Sequence, residues 1–244
     1  MAEPDLHSGT RWVGSAIRDV VIVVFSILLA FAIDAWWDGR AAADREQALV
    51  ETLMTELAAA TDDLQQYRDH HAGVAEAGSE LLGLRGEPPV SRERADSLLG
   101  VIITGRPYSP SGAVLGSLLG GEGGTNLSDP EAALRLARWR QGSANLAAQS
   151  EIVAYHLTSD LNAYVNRHIP YRTLDLAAGS VDGIQPSRFP TNVLGLLESV
   201  EFENVVYNRY YLAGRAVART DAFLELTREL VAVLDGEPLG AGDG

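Results

Sequence analysis

Cysteine is absent from the 244 residues, and so is lysine: all 19 basic side chains are arginine. Without cysteine there is no disulfide, no thiolate nucleophile and no Cys-ligated zinc. Without lysine there is no Walker-type phosphate lysine, no Schiff base and no lysine general base. Genomic base composition accounts for such a bias, and an absence of cysteine fits either side of a membrane. Positive charge is also scarce, because 33 acidic residues against 19 basic ones leave a net charge of −14 and a pI of about 4.7. Such a body is repelled by nucleic acid, so a nucleic-acid partner is not expected.

Catalytic patterns are lacking too. No HExxH, EF-hand loop or G-x-S-x-G elbow occurs, although Ser109, Ser111 and Ser117 lie near glycines. His70 and His71 are adjacent and cannot share a helix face, while His156 and His168 stand twelve apart. Asp62 with Asp63, and Glu201 with Glu203, read as solvated helical charge. No nucleophile, base and orienting group can be assembled, so the expectation is a protein that is not an enzyme, with no cofactor and no metal.

What the chain does have is an apolar run at residues 20–38, VVIVVFSILLAFAIDAWWD. From Trp12 to Trp37 a helix covers roughly 39 Å, more than the ~30 Å that hydrocarbon requires. The uninterrupted part, residues 20–33, is shorter, so Arg18 snorkels at one end and Asp34 lies near the other. Trp12 on one side and Trp36, Trp37 and Asp38 on the other complete a membrane-interface set. These residues predict a tail at 1–14, a single transmembrane helix at 15–38, and the lipid bilayer as a partner. Asp34 is a candidate contact for a second subunit or a headgroup, against the plainer reading of an interfacial aspartate. Arg18 cannot pair with it in one chain, because sixteen helical residues separate them by roughly 24 Å. Ser26 and Ala30 form a small-xxx-small pair that permits close helix approach.

A cleavable signal peptide is the rival reading. Arg11 and Arg18 would be its basic start, residues 20–29 its apolar region and Ala30-Phe31-Ala32 its cleavage site, leaving a secreted helical domain. Against it, the helical pattern runs on through Ala35, Trp36 and Trp37. Arg11 and Arg18 before the span balance Arg40 and Arg45 after it. The terminal amine and His7 break the tie towards an extracytoplasmic C-terminal domain.

The segment SILLAFAIDAWWD, followed by a charged helix, resembles the N-terminal signature of an uncharacterised family of bacterial single-pass membrane proteins. The similarity covers about residues 17–57 and, more weakly, 127–139, LSDPEAALRLARW. The chain departs from that pattern by placing Gly120, Gly121, Gly123 and Gly124 just before the second region. The resemblance implies an anchor in the bacterial inner membrane and transfers no catalytic residue.

The remainder, residues 39–236, is long enough for one domain with its own core. Residues 41–84 contain no proline and carry a stripe of Leu53, Leu57, Ala60, Leu64, Tyr67, His71, Val74, Gly78 and Leu81, with Gly39 as the weak point before it. Steps of four and three alternate along that stripe, the heptad pattern of packed helices. Pro88 and Pro89 end this helix, and Ser91 caps a short one through about Thr104. Pro107 and Pro110 bracket a turn, and residues 113–119 suit another short helix. The glycines at 120–124 read as a hinge, since Glu122 and the lack of lysine spoil a phosphate cradle.

Ser128, Asp129, Pro130 and Glu131 restart a helix that runs to about Arg167 with Leu146, Ser150, Val153, Leu157, Leu161, Tyr164 and His168 on one side. Pro170 stops it, residues 171–190 connect, and 192–199 allow a turn or two of helix. A last helix spans about residues 201–234 with Val206, Tyr210, Ala213, Val217, Thr220, Leu224, Thr227, Val231 and Leu234 as its stripe. Gly236 and Pro238 then open a disordered tail at 237–244. The expected fold is therefore all-α, a transmembrane helix followed by about three long helices in a bundle.

Six of eight tyrosines fall between Tyr155 and Tyr211, with His156, His168, Arg167, Arg172 and Arg209 among them. Tyr155, Tyr164, Tyr207, Tyr210, Tyr211 and Arg209 are the candidate ligand or partner region, against ordinary core packing with hydroxyls at the surface. The favoured expectation is a membrane-anchored helical scaffold that contacts a partner protein or itself. The alternative is a bundle that senses a small molecule through these tyrosines.

Overall fold

The computed structural model describes residues 9–84, 91–109, 115–117, 127–179 and 181–236, with the side chains of 9–21 outside that description. The expected tail at 1–8, Pro88 and Pro89, Pro110, the glycine hinge at 120–124 and the tail at 237–244 lie outside the described residues. So do the side chains of Trp12 and Arg18, and only 115–117 of the short helix expected at 113–119 are described, as helix.

The protein is all-α, with no strand among the described residues. Its elements are α1 (Gly9–Gly83), α2 (Arg92–Ile102), α3 (Pro130–Tyr155), a π-helical turn (His156–Leu161), α4 (Asn162–His168), α5 (Tyr171–Ala177), α6 (Val193–Leu196) and α7 (Val200–Leu234). The chain divides into two compact units, Met1–Glu51 and Thr52–Gly244.

In the first unit, α1 takes in residues 9–14, expected from sequence to be tail, and passes through Gly39 without a break. A Cβ at Gly39 would meet nothing within 4 Å. A lone helical glycine costs about 1 kcal/mol against alanine, which Ala41, Ala42 and Ala43 beside it are well suited to tolerate.

The second unit begins where burial begins. All nine residues of the predicted α1 stripe, from Leu53 to Leu81, are buried. Opposite them runs α7, antiparallel: Arg68 pairs with Asp221 at 2.6 Å, and a Cβ at Gly78 would sit 3.0 Å from Tyr210 Cβ. α3 is antiparallel to α7 as well. Trp139 Nε1 donates to Thr227 Oγ1 at 3.0 Å, Arg135 pairs with Glu229, and Gly142 lies so close to Phe223 that a Cβ there would be 2.7 Å from its ring. α1 and α3 thus share α7 as a neighbour, which gives the three long helices read from the sequence.

Local chemistry sets the ends. Ser91 accepts from Arg94 N, Asp129 from Glu131 N and Ala132 N with Pro130 in the first turn, and Ser199 from Phe202 N. These oxygens satisfy amides that lack an intrahelical partner. Ile169 is extended at φ −136°, ψ 136°, as a residue before proline should be. Within the stretch expected to be a connection, Leu174 is buried and residues 171–177 form α5.

The π turn has a visible cause. In the stripe, Val153 to Leu157 and Leu157 to Leu161 are two successive steps of four, one residue more than heptad spacing allows. A π turn absorbs that residue without ending the helix. His156 at its start faces Asp160 Oδ2 at 2.9 Å and donates Nε2 to the Val205 carbonyl at 3.2 Å, tying the turn to α7.

Five of the nine stripe positions expected on α7 are buried: Val206, Ala213, Thr220, Leu224 and Thr227. Tyr210 is exposed and Val217, Val231 and Leu234 are half-buried, while Arg209, Ala216, Phe223 and Leu230 are buried instead. Arg209, the least expected of the buried residues, has its partners at the end of α2 and just after it.

Candidate functional site

Two features stand out among the described residues. The first is the apolar run in the N-terminal unit. Eleven large apolar side chains from Ile22 to Trp37 are 47–66% exposed, and every residue from 22 to 45 is exposed, not one face of the helix alone. At roughly 1.5–3 kcal/mol for burying one such side chain fully, covering the exposed halves would be worth on the order of 10 kcal/mol. By length and composition this is one helix able to cross a membrane. Trp36 and Trp37 meet edge to face at 5.1 Å between ring centroids, and Asp34 and Asp38 are exposed beside them. Ser26 spends its hydroxyl on the Ile22 carbonyl at 2.8 Å, which removes the unsatisfied donor it would carry into an apolar medium.

The second feature is a polar centre inside the bundle. Arg209 on α7 is completely buried; its Nε donates to the Ile102 carbonyl at 3.1 Å and its Nη2 to the Thr104 carbonyl at 2.7 Å. Those carbonyls belong to the end of α2 and the residues just after it, where a helix has unsatisfied acceptors and a partial negative charge. The guanidinium therefore caps α2 from a distance of more than a hundred residues in sequence. Among the described residues Nη1 has no hydrogen-bond partner and no carboxylate pairs with this cation. Burial pulls its pKa down to about 10.

Tyr67 and His71, one turn apart on α1, lie beside it. Their rings meet at 4.4 Å, His70 and His71 at 5.1 Å, and Tyr67 and Tyr108 at 6.0 Å. Tyr67 Oη, His70 Nε2 and both ring nitrogens of His71 are buried and make no hydrogen bond of full geometry among the described residues, with the Ser150 hydroxyl near Tyr67 and the Thr104 and Arg106 backbone near His70 and His71. Burial first, then the Arg209 charge, pushes the His71 imidazole down to about 3 and lowers that of His70 as well. Both rings are neutral near pH 7. Burial raises the Tyr67 hydroxyl, with Ser150 and Arg209 pulling the other way.

Tyr108 holds the 103–109 segment against α3: its amide donates to Ser150 Oγ at 2.9 Å and its hydroxyl lies 3.1 Å from Ser143 Oγ. Asp63, Tyr67, Arg106, Pro107, Tyr108 and Ser109 line a cleft of about 340 Å³ here. Arg106 is held at its rim by Gln66 at 2.7 Å.

The predicted tyrosine region does not converge. Tyr164 is buried, stacked on His168 at 4.2 Å and tilted against Phe202 at 5.6 Å. His168, expected on the buried side, is exposed and bonds the Tyr164 carbonyl through Nδ1 at 2.8 Å. Tyr207, Tyr210 and Tyr211 are exposed and gather on the outer side of α7, with Tyr207 stacked on Tyr211 at 6.5 Å and Arg215 5.8 Å over Tyr211. Tyr155 is the most exposed of the set, at 69%. Arg209, like Tyr164, is buried, on the opposite side of α7 from Tyr207, Tyr210 and Tyr211. Among the described residues no three His, Asp or Glu side chains are grouped to hold a metal ion.

The polar centre was overlooked in the sequence for lack of a rule. Its signal was there, however, in Tyr67, His71 and Ser150 occupying stripe positions that packing alone would fill with aliphatics. Comparison with models of protein families, with characterised proteins and with solved structures finds no match.

Proposed function

We propose that the chain is a membrane-anchored helical module, fixed in the bacterial inner membrane by α1 and presenting its C-terminal bundle to a partner protein on the extracytoplasmic side. One observation carries this reading: the helix from Ile22 to Trp37 is apolar and uncovered on all faces. A helix that lies on a partner is apolar along one stripe, whereas one apolar all round belongs in lipid or in a large core. The tryptophan pair with Asp34 and Asp38 marks the interfacial end, and the SILLAFAIDAWWD resemblance points the same way. Tyr207, Tyr210 and Tyr211 supply an exposed aromatic contact surface of the kind interfaces favour.

Alkaline carbonate extraction of native membranes tests the anchor, with the full-length polypeptide expected in the pellet. Recovery in the supernatant, or a mature N-terminus at about Ile33, would refute it in favour of a secreted domain. Crosslinking and mass spectrometry test the partner role: a stoichiometric protein partner is expected, and the paired change Tyr207→Ser with Tyr211→Ser should release it. A reporter joined after Gly244 should be active only outside the cytoplasm.

A further inference from the structure

We propose that the outer groove between α1 and α7 is the surface on which a second copy of this chain docks, the two copies lying side by side and parallel. The groove belongs wholly to the second unit, so the pairing of the two faces does not depend on the membrane reading. Only the parallel sense rests on it, since chains anchored in one bilayer point the same way.

A groove of about 590 Å³ runs along Met54, Ala58, Val231 and Ala232, and among the described residues α1 and the end of α7 alone line it. Thr61 and Thr227 stand in it too, but their hydroxyls are spent on the Leu57 and Phe223 carbonyls at 2.8 and 2.9 Å, which leaves their methyl groups as an apolar contribution. On this side of α7, Val217 and Val231 keep the seven-residue spacing of a helix seam, yet both are only half-buried where a finished seam would bury them.

Charge identifies the occupant. Arg68 and Asp221 meet at 2.6 Å, so six residues further along the antiparallel pair Asp62 comes within a residue of the level of Arg228. Both line the groove, yet Arg228 pairs with Glu225 on its own helix, at side-chain exposures of 64% and 63%. Neither Asp62 nor Asp235 makes an ion pair among the described residues. A face with one exposed cation level with an unpaired acid is complementary to itself. A two-fold axis parallel to the helices keeps every residue at its own level and sets α1 of one copy against α7 of the other, so Arg228 meets Asp62 of the second copy twice over. Four helices then close on the groove as in a four-helix bundle. From Met54 to Ala72 the face is roughly 27 Å by 20 Å, about 1,000 Å² over both copies, which reaches the size of a specific interface.

Static light scattering of the full chain in detergent micelles should give a dimer. Asp62→Arg sets like charges level across the interface and should weaken dimerisation about tenfold or more, and adding Arg228→Asp should restore it. Both residues are exposed, so helix content by circular dichroism should not change. Because the chain has no cysteine, single cysteines locate the contact. A short bismaleimide should link Ala58→Cys chains to one another, but not Ala148→Cys chains, whose site is exposed on α3. Links that form only between Met54→Cys and Asp62→Cys chains would show antiparallel copies and overturn the parallel sense, while carbonate extraction decides the anchor separately. A monomer at every concentration, a dimer indifferent to Asp62→Arg, or links at Ala148 and not at Ala58 would overturn the proposal.

Discussion

Acid should loosen the bundle through His71, and the size of the effect follows from its surroundings. The ring is fully buried beside a guanidinium, and its pKa falls from 6.5 to about 3. In the unfolded chain it titrates normally. Between those two values the unfolded state binds a proton that the folded state refuses, so stability rises with pH across the window and is lost as pH falls through it. The slope is at most about 1.4 kcal/mol per pH unit. From pH 6.5 to pH 4.5 the loss comes to about 2 kcal/mol. His70, shifted in the same direction, adds to it, while Asp96, whose carboxyl is raised by burial, works the other way near the bottom of the range. The contribution of His71 is therefore read as a difference. Urea unfolding of the full chain in a mild detergent, followed by circular dichroism at several pH values, gives stability against pH for wild type and for His71→Phe. Phenylalanine fills the ring space and cannot titrate. The variant should lose the His71 part of the slope, so that the two proteins converge as pH falls. Parallel curves would show that the folded state takes up the proton as readily as the unfolded one, and the account of a buried neutral ring would fail.

Glycines on two helices should respond in opposite ways. Gly142→Ala drives a methyl to 2.7 Å from Phe223 and should cost about 1–3 kcal/mol, whereas Gly214→Ala on α7 meets nothing within 4 Å and should stabilise by up to about 1 kcal/mol, both measured by urea midpoint. Trp139→Phe strips Thr227 of its indole donor in the core and should cost about 2–3 kcal/mol with no change in m-value. Thr191→Val removes the hydroxyl that donates to buried Asp96 at 2.5 Å and leaves that carboxyl without a partner. Its cost, about 1–3 kcal/mol at pH 7, should shrink towards pH 4 as Asp96 protonates. A cost that is flat with pH would refute the role given to that bond.

Legibility varied with how local the cause was. The α1 stripe was readable residue by residue, because residues at alternating four and three spacing leave one face to choose, and the cap at Ser91 and the helix start within residues 128–131 were readable because an N-cap is decided within three residues. On α7 the same rule chose Tyr210 over Arg209, as any hydrophobic ranking would. The carbonyls that make a buried arginine tolerable lie at Ile102 and Thr104, beyond any local window. The tyrosine cluster failed for a related reason, since nearness along a chain is not nearness in space. Tyr164 faces inward and Tyr207, Tyr210 and Tyr211 outward, because each residue on a helix turns by about 100° from the last. The π turn was written in the paired steps of four through Leu157, but a stripe read only for which residues it contains hides its spacing.

Arg209 has a temporal consequence as well as a structural one. The cation that finishes α2 is translated long after α2 itself, and the same late helix supplies Thr227 to Trp139 and Asp221 to Arg68. A nascent chain emerging up to about residue 200 therefore exposes the greasy seams of two earlier helices with no lid over them. Closure of the core waits for α7 and is dominated by distant pairings, which slows folding and lengthens the interval in which holdase chaperones have something to grip.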